Sequence, residues 1–140
     1  MKLFISENID KAIEGYTLVP IVYGKVDLTK IPDNAASHIV AIDALDKINY
    51  QDLQAFLQNI LSKLRLNGII NLGGIDAYAL SRSLISGNTD LKEFNEEIST
   101  ISGIYSAKII VDLLHKFDLN INDVVYKGDR YEVTATRSKN

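Results

Sequence analysis

Two pairs of polar residues stand where an α/β protein would do chemistry. Asp43 and Asp46 follow the apolar run His38-Ile39-Val40-Ala41-Ile42, and Asp76 and Tyr78 follow a second run beginning Ile69-Ile70-Asn71-Leu72. Residues so placed lie at the C-terminal ends of strands, where open α/β sheets bind their ligands. Each carboxylate also has a plainer use. Asp46 caps or solvates the loop before the next helix, and Asp76 N-caps the helix that follows it; in both cases this is the first reading and substrate contact the second. Gly73-Gly74 resembles a phosphate cradle only superficially, since no helix-opening Lys-Ser/Thr follows, and the glycines are read as allowing a sharp strand exit. His38 and His115 are far apart and neither has metal-ligand spacing around it, so no metal site is expected. There is no Ser-His-Asp or paired-glutamate pattern. The absence of cysteine excludes disulfides, thiolate metal sites and cysteine nucleophiles.

The elements that must position these residues centre on the stretch from Ser37 to Asp76. The run from His38 to Ile42 suits a strand buried on both faces. Leu53, Phe56, Leu57, Ile60, Leu61 and Leu64 share one face of a helix predicted from about Tyr50 to Leu66, with Asn49 able to cap its start and Gly68 to close its end. Phe56, Leu57, Ile60 and Leu64 should face the sheet, and Gln54, Gln58 and Lys63 the solvent. A second strand follows from Ile69, so the whole is a right-handed βαβ unit. Before it, Leu3-Phe4-Ile5 is a strand, Glu7 to Glu14 a turn or one loose helical turn, and Tyr16 to Tyr23 a second strand. Pro20 marks an edge, bulge or end of that strand. Val26-Asp27-Leu28 is a brief third strand. After Asp76 come helical stripes on Tyr78 to Ile85, on Leu91 to Ile98 capped by Thr89, and from about Ser102 to Phe117. A β-hairpin around Lys127-Gly128-Asp129 closes the chain.

This order predicts one domain over residues 1–140: a three-layer, Rossmann-like α/β fold with a mostly parallel sheet and a C-terminal antiparallel hairpin. The join between the first two strands is too short for an ordinary crossover helix. One sheet face would therefore be thinly covered. A homodimer burying apolar residues there is the expectation, with a short helix at Glu7–Ile13 as the alternative cover.

Composition narrows the classes. The chain has 140 residues, 46% of them apolar, enough for a real core. A net charge of −3 argues against a nucleic-acid partner, and Arg137-Ser138-Lys139 reads as a solvated basic end. The first residues turn polar too early for a signal peptide, and no apolar run nears the roughly eighteen residues of a membrane span. A soluble cytoplasmic domain is the expectation.

The order of elements and several local phrases resemble the class I S-adenosylmethionine-dependent methyltransferases over nearly the whole chain. Glu14-Gly15-Tyr16-Thr17-Leu18-Val19 is similar to the stretch entering that family's second strand. Val26-Asp27-Leu28 followed by Ile31-Pro32-Asp33 looks like its third strand and the turn beyond. Leu61 to Ile70 is similar to its helix-to-strand phrase, in which a leucine, a short polar turn and a glycine precede the fifth strand, and Tyr131 to Arg137 to its usual ending. The resemblance implies a cofactor site formed by Ser6, Glu7 and Asn8 after the first strand, Asp27 in the third, and Asp43 and Ala44 after the fourth. It also puts a methyl acceptor near Asp46, Asp76 and Tyr78.

The departures bear on function. The family carries a glycine-rich turn after its first strand, so that backbone can approach the cofactor; here the turn is Ser6-Glu7-Asn8-Ile9-Asp10, without glycine and with a negative charge at Glu7. The position of the family's ribose-binding acid is Pro20. Lys47 stands in place of a histidine the family carries after its fourth strand. With three cofactor-side features absent together, the expectation is a degenerate, non-catalytic binding or assembly module with vestigial cofactor residues. The alternative is an active methyltransferase on a small-molecule or sugar acceptor with an atypical S-adenosylmethionine pocket.

Overall fold

In the computed structural model, which describes residues 1–138, seven strands form one sheet in the order β3-β2-β1-β4-β5-β7-β6. The strands are β1 (Lys2–Ser6), β2 (Thr17–Val22), β3 (Lys25–Val26), β4 (Ala36–Ala41), β5 (Leu64–Ile75), β6 (Asn120–Lys127) and β7 (Arg130–Thr136). The helices are α1 (Leu53–Lys63), α2 (Ala77–Ile85), α3 (Leu91–Ile98) and α4 (Ala107–Lys116). β1 lies between β2 and β4, and all three run parallel to one another and to β5.

The sheet is mixed rather than mostly parallel, which corrects the sequence reading. β2 turns straight back into β3 through Tyr23 and Gly24, both at positive φ (50° and 74°), the backbone of a type I′ hairpin. At the other side β7 runs antiparallel to both β5 and β6, in ladders of seven pairs each. Pro20 sits one residue before the β2–β3 pairing begins, where β2 is an edge.

The expected three layers are corrected as well. Leu3, Ile5, Val19, Ile21, Ile39, Ala41, Ile70, Leu72, Val133 and Ala135 line one face and join a single core with α1 and α4. α1 buries Leu53, Phe56, Leu57, Ile60 and Leu61, each contributing about 1.5–3 kcal/mol. α4 buries Ala107, Ile110 and Leu114. The turn at 27–35 adds Leu28 and Ile31 to this same core. On the other face Phe4 and Val40 are buried but Pro20, Val22, Ile42 and Ile69 stay exposed, because residues 7–16 form turns and no helix. The short helix expected at Glu7–Ile13 does not form. Hydrogen bonds finish this face instead. Tyr16 Oη lies 2.5 Å from His38 Nδ1, His38 Nε2 lies 2.5 Å from Asn71 Oδ1, and Asn71 Nδ2 donates to Thr134 Oγ1 at 2.8 Å. His38 is thus spent on a bridge across strands.

Several boundaries move. α1 starts at Leu53 after a 3₁₀ turn and stops at Lys63; Leu64 opens β5, whose pairing with β4 jumps from Leu64 to Ile69 across a bulge. Gly68 is inside that bulge rather than at a helix end. Lys63 is half-buried and paired with Asp33 at 2.8 Å, not free in solvent. Asp90, not Thr89, caps α3 by accepting from Glu93 N. Arg137 is not a solvated end: its guanidinium donates to Leu64 O and Asn34 Oδ1. Lys139 lies outside the described residues. No helix among the described residues is long and apolar enough to cross a membrane.

Candidate functional site

The C-terminal ends of β1 and β4 open into a cleft of about 540 Å³. β1 delivers Ser6 at its last position, and the turn beyond supplies Glu7, Asn8 and Lys11. β4 ends at Ala41, so Ile42 and Asp43 emerge at the rim, and a one-turn 3₁₀ segment, Leu45–Lys47, presents Asp46 and Lys47. Arg130, the first residue of β7, closes the cleft because it pairs with Ile75 at the end of β5.

The lining is a set of acid–base pairs. Lys11 Nζ lies 3.2 Å from Asp43 Oδ2, Lys47 Nζ 3.8 Å from Glu7 Oε1, and Arg130 Nη1 3.8 Å from Asp46 Oδ2. Ser6 Oγ donates to Asp43 Oδ2 at 3.3 Å and accepts from Asn8 N at 3.1 Å. Lys47 also donates to Thr100 O at 2.6 Å, and Asp46 O accepts from Ser102 N at 2.7 Å, so the chain between α3 and α4 is pinned over the 3₁₀ turn. Asp46 is buried, and burial pushes its carboxyl above the usual range against the opposing pull of Arg130. Asp43 Oδ1, Asp46 Oδ1 and Tyr131 Oη are buried with no hydrogen-bond partner among the described residues. Burial also raises the Tyr131 phenol, followed by the negative charges of Asp46 and Asp76.

The fold brings Ser6, Glu7, Asn8, Asp43 and Asp46 together, and separates the other candidates. Ala44 is fully buried and lines no part of the cleft. Asp27 is exposed in a different groove with Pro20, its Oδ1 accepting from Thr29 N at 3.0 Å and Thr29 Oγ1 at 2.6 Å. Asp76 is the N-cap of α2, accepting from Ala79 N at 2.8 Å, and it also accepts from Ala107 N at 3.2 Å, tying the starts of α2 and α4 together. With Tyr78 it lines a separate hollow beside Arg82 and Tyr126, away from Asp46. Gly73 does not serve a strand exit: a Cβ there would meet Ile42 O at 2.3 Å and Tyr131 O at 2.8 Å, so it permits close strand approach. Lys11 and Arg130 carry no motif. Arg130 reaches the rim residue Ile42 from 88 positions away, which only the β5–β7 pairing makes local. No group of three or more potential metal ligands occurs among the described residues.

Three features bear on whether S-adenosylmethionine fits. In the turn after β1 the amides of Asn8 and Asp10 are consumed by Ser6 Oγ and Asn8 Oδ1 at 3.1 and 3.0 Å. Lys11 occupies the side of Asp43 next to that turn. The end of β2, Pro20-Ile21-Val22, offers no acid, and β3 folds back against it.

No protein-family model matches the chain, and no curated protein matches it. Solved structures do. A SAM-dependent methyltransferase from Archaeoglobus fulgidus superposes with a TM-score of 0.61 at 12% identity, over 94% of this chain and 74% of that one. An S-adenosylmethionine-dependent methyltransferase from Mesorhizobium loti gives 0.63 at 10% identity, over 91% and 72%. The 1,6-didemethyltoxoflavin-N1-methyltransferase of Burkholderia thailandensis, solved with 1,6-didemethyltoxoflavin and S-adenosylhomocysteine, gives 0.56 at 11% identity, over 89% of this chain but only 52% of that one. Against an O-methyltransferase family protein from the same organism the chain spans 36% of that length. At such identities the likeness is one of fold, and the fold is that of the class I S-adenosylmethionine-dependent methyltransferases.

Proposed function

We propose that this chain is a methyltransferase-fold binding or assembly module, a single domain that does not methylate. The turn after β1 carries the reading. It has no glycine, and its amides at Asn8 and Asp10 are turned onto its own side chains, so the backbone that would approach a methionine moiety is already engaged. The residues fit the cofactor poorly elsewhere too. Without an acid at the end of β2 the ribose hydroxyls lose a charged acceptor worth about 1.5–3 kcal/mol, or roughly ten- to a hundredfold in affinity. Lys11 adds a side chain anchored on Asp43 beside the same turn. Calorimetric titration with S-adenosylmethionine and S-adenosylhomocysteine tests the reading. Millimolar or undetectable binding is expected; low-micromolar binding overturns it.

One observation favours a second reading, an active methyltransferase acting on a small-molecule or sugar acceptor. Asp43 Oδ1 and Asp46 Oδ1 are buried without donors, and a ligand bearing hydroxyl or ammonium groups would supply them. The same titration separates the two.

A further inference from the structure

We propose that the outer edge of β6 pairs antiparallel with the β6 edge of a second copy of this chain, about a two-fold axis through Val125. This goes beyond the reading above and stands whether or not the cleft binds S-adenosylmethionine. The sheet has two edges. One is β3, only two residues long; the other is β6, eight residues long, with Val125 and Tyr126 exposed. A strand edge of that length is a template for another strand unless it is guarded.

The hairpin fixes which backbone groups face outward. β6 and β7 are joined by Gly128 and Asp129, with Gly128 at φ 62°, so Lys127 and Arg130 close a two-residue loop as a hydrogen-bonded pair. Alternation then turns the N–H and C=O of Val125 toward β7 and those of Val124 and Tyr126 outward, where Val124 N donates to Asp123 Oδ1 at 2.9 Å, a bond that pairing would exchange for one to the second copy as Asp123 turns to Lys127. Pairing about Val125 sets Val124 opposite Tyr126 of the second copy, twice, each pair exchanging two backbone hydrogen bonds. It also sets Asp123 opposite Lys127, twice. The flanking charges that would repel most strands therefore match in this register: Lys127, whose Nζ lies 3.9 Å from Glu132 Oε2 on its own hairpin, also faces Asp123 of the second copy, and β-branched and aromatic side chains face one another across the junction. Slips that keep the hydrogen-bond alternation put Asp123 opposite either Val125 or Asp129 and lose both ion pairs. The bulge between Ile121 and Asp123 limits the junction to the half of β6 nearest the turn, because Asn122 Oδ1 is drawn back to accept from Thr136 Oγ1 at 2.7 Å.

The chain has no cysteine, which makes a direct test available. Val125 would face its own copy as a non-hydrogen-bonded pair with Cα atoms about 4.5 Å apart, within disulfide reach. Val125→Cys in the full chain should give a disulfide-linked dimer on mild oxidation, whereas Tyr23→Cys, at a residue 98% exposed on the opposite edge, should not. In sedimentation equilibrium the unaltered protein should dimerise. Lys127→Asp should weaken the dimer roughly tenfold, and Asp123→Lys combined with Lys127→Asp should restore it. Circular dichroism would verify that each variant is folded. A monomer at several hundred micromolar overturns the proposal. So does cross-linking of Val125→Cys no faster than Tyr23→Cys, or failure of the charge-swapped double variant to recover.

Discussion

Gly73 is a position where a single methyl group should do heavy damage. A Cβ there would lie 2.3 Å from Ile42 O and 2.8 Å from Tyr131 O, where ordinary contact begins near 3.4 Å. Both obstacles are backbone, so no rotamer change relieves them, and β5 is held by ladders on both sides. The β4 side would have to give by about 1 Å, an overpacking of the kind that costs about 1–3 kcal/mol and more where the neighbours are hydrogen-bonded strands. We expect Gly73→Ala to lower stability by about 3 kcal/mol, which moves Tm down by about 10 °C in a chain of this size. Gly87→Ala is the control. Nothing lies within 4 Å of its Cβ, but φ is +83°, so its cost of about 1 kcal/mol is conformational alone. The assay is urea unfolding of both variants, reading midpoint and slope. A Gly73→Ala loss below 1 kcal/mol would refute the steric reasoning, and would mean that β4 and β7 yield without breaking their pairing to β5.

Two further outcomes are expected. Phe56→Ala, at a residue 7% exposed on the sheet-facing side of α1, should cost roughly 3–5 kcal/mol in the same unfolding assay, and a loss below about 1 kcal/mol would contradict its place in the core. The Glu97 carboxyl is pushed up to about 6, first by burial and then by the neighbouring Asp129. Its folded value thus exceeds its unfolded one. Its favourable contribution is present below pH about 4.5 and lost as pH rises through about 6. Glu97→Gln should flatten that part of the stability–pH curve in urea midpoints measured from pH 4 to 7, and an unchanged slope would remove Glu97 as its source.

Local pattern determined a good deal of this protein. The three–one–three spacing of Leu53, Phe56, Leu57, Ile60 and Leu61 gives α1 and its buried face, since a stripe at helical period has no other way to be buried at once. Asp76 ahead of an amphipathic run gives the cap of α2. Asp43 and Asp46 stand at a strand end whatever lies beside them, so their place at the mouth of the sheet was legible too. Tertiary structure alone decided the rest. Whether a sheet face carries helices depends on which strands become neighbours and on how much chain the joins contain, and the helix-free join at 7–16 leaves one face to the Tyr16–His38–Asn71–Thr134 network. Arg130 enters the cleft only because β7 pairs with β5, and Asp27 leaves it only because β3 folds back on β2. Hydrophobic period is set by neighbours in sequence, but the company a side chain keeps is set by strand pairing, and pairing is a property of the whole chain.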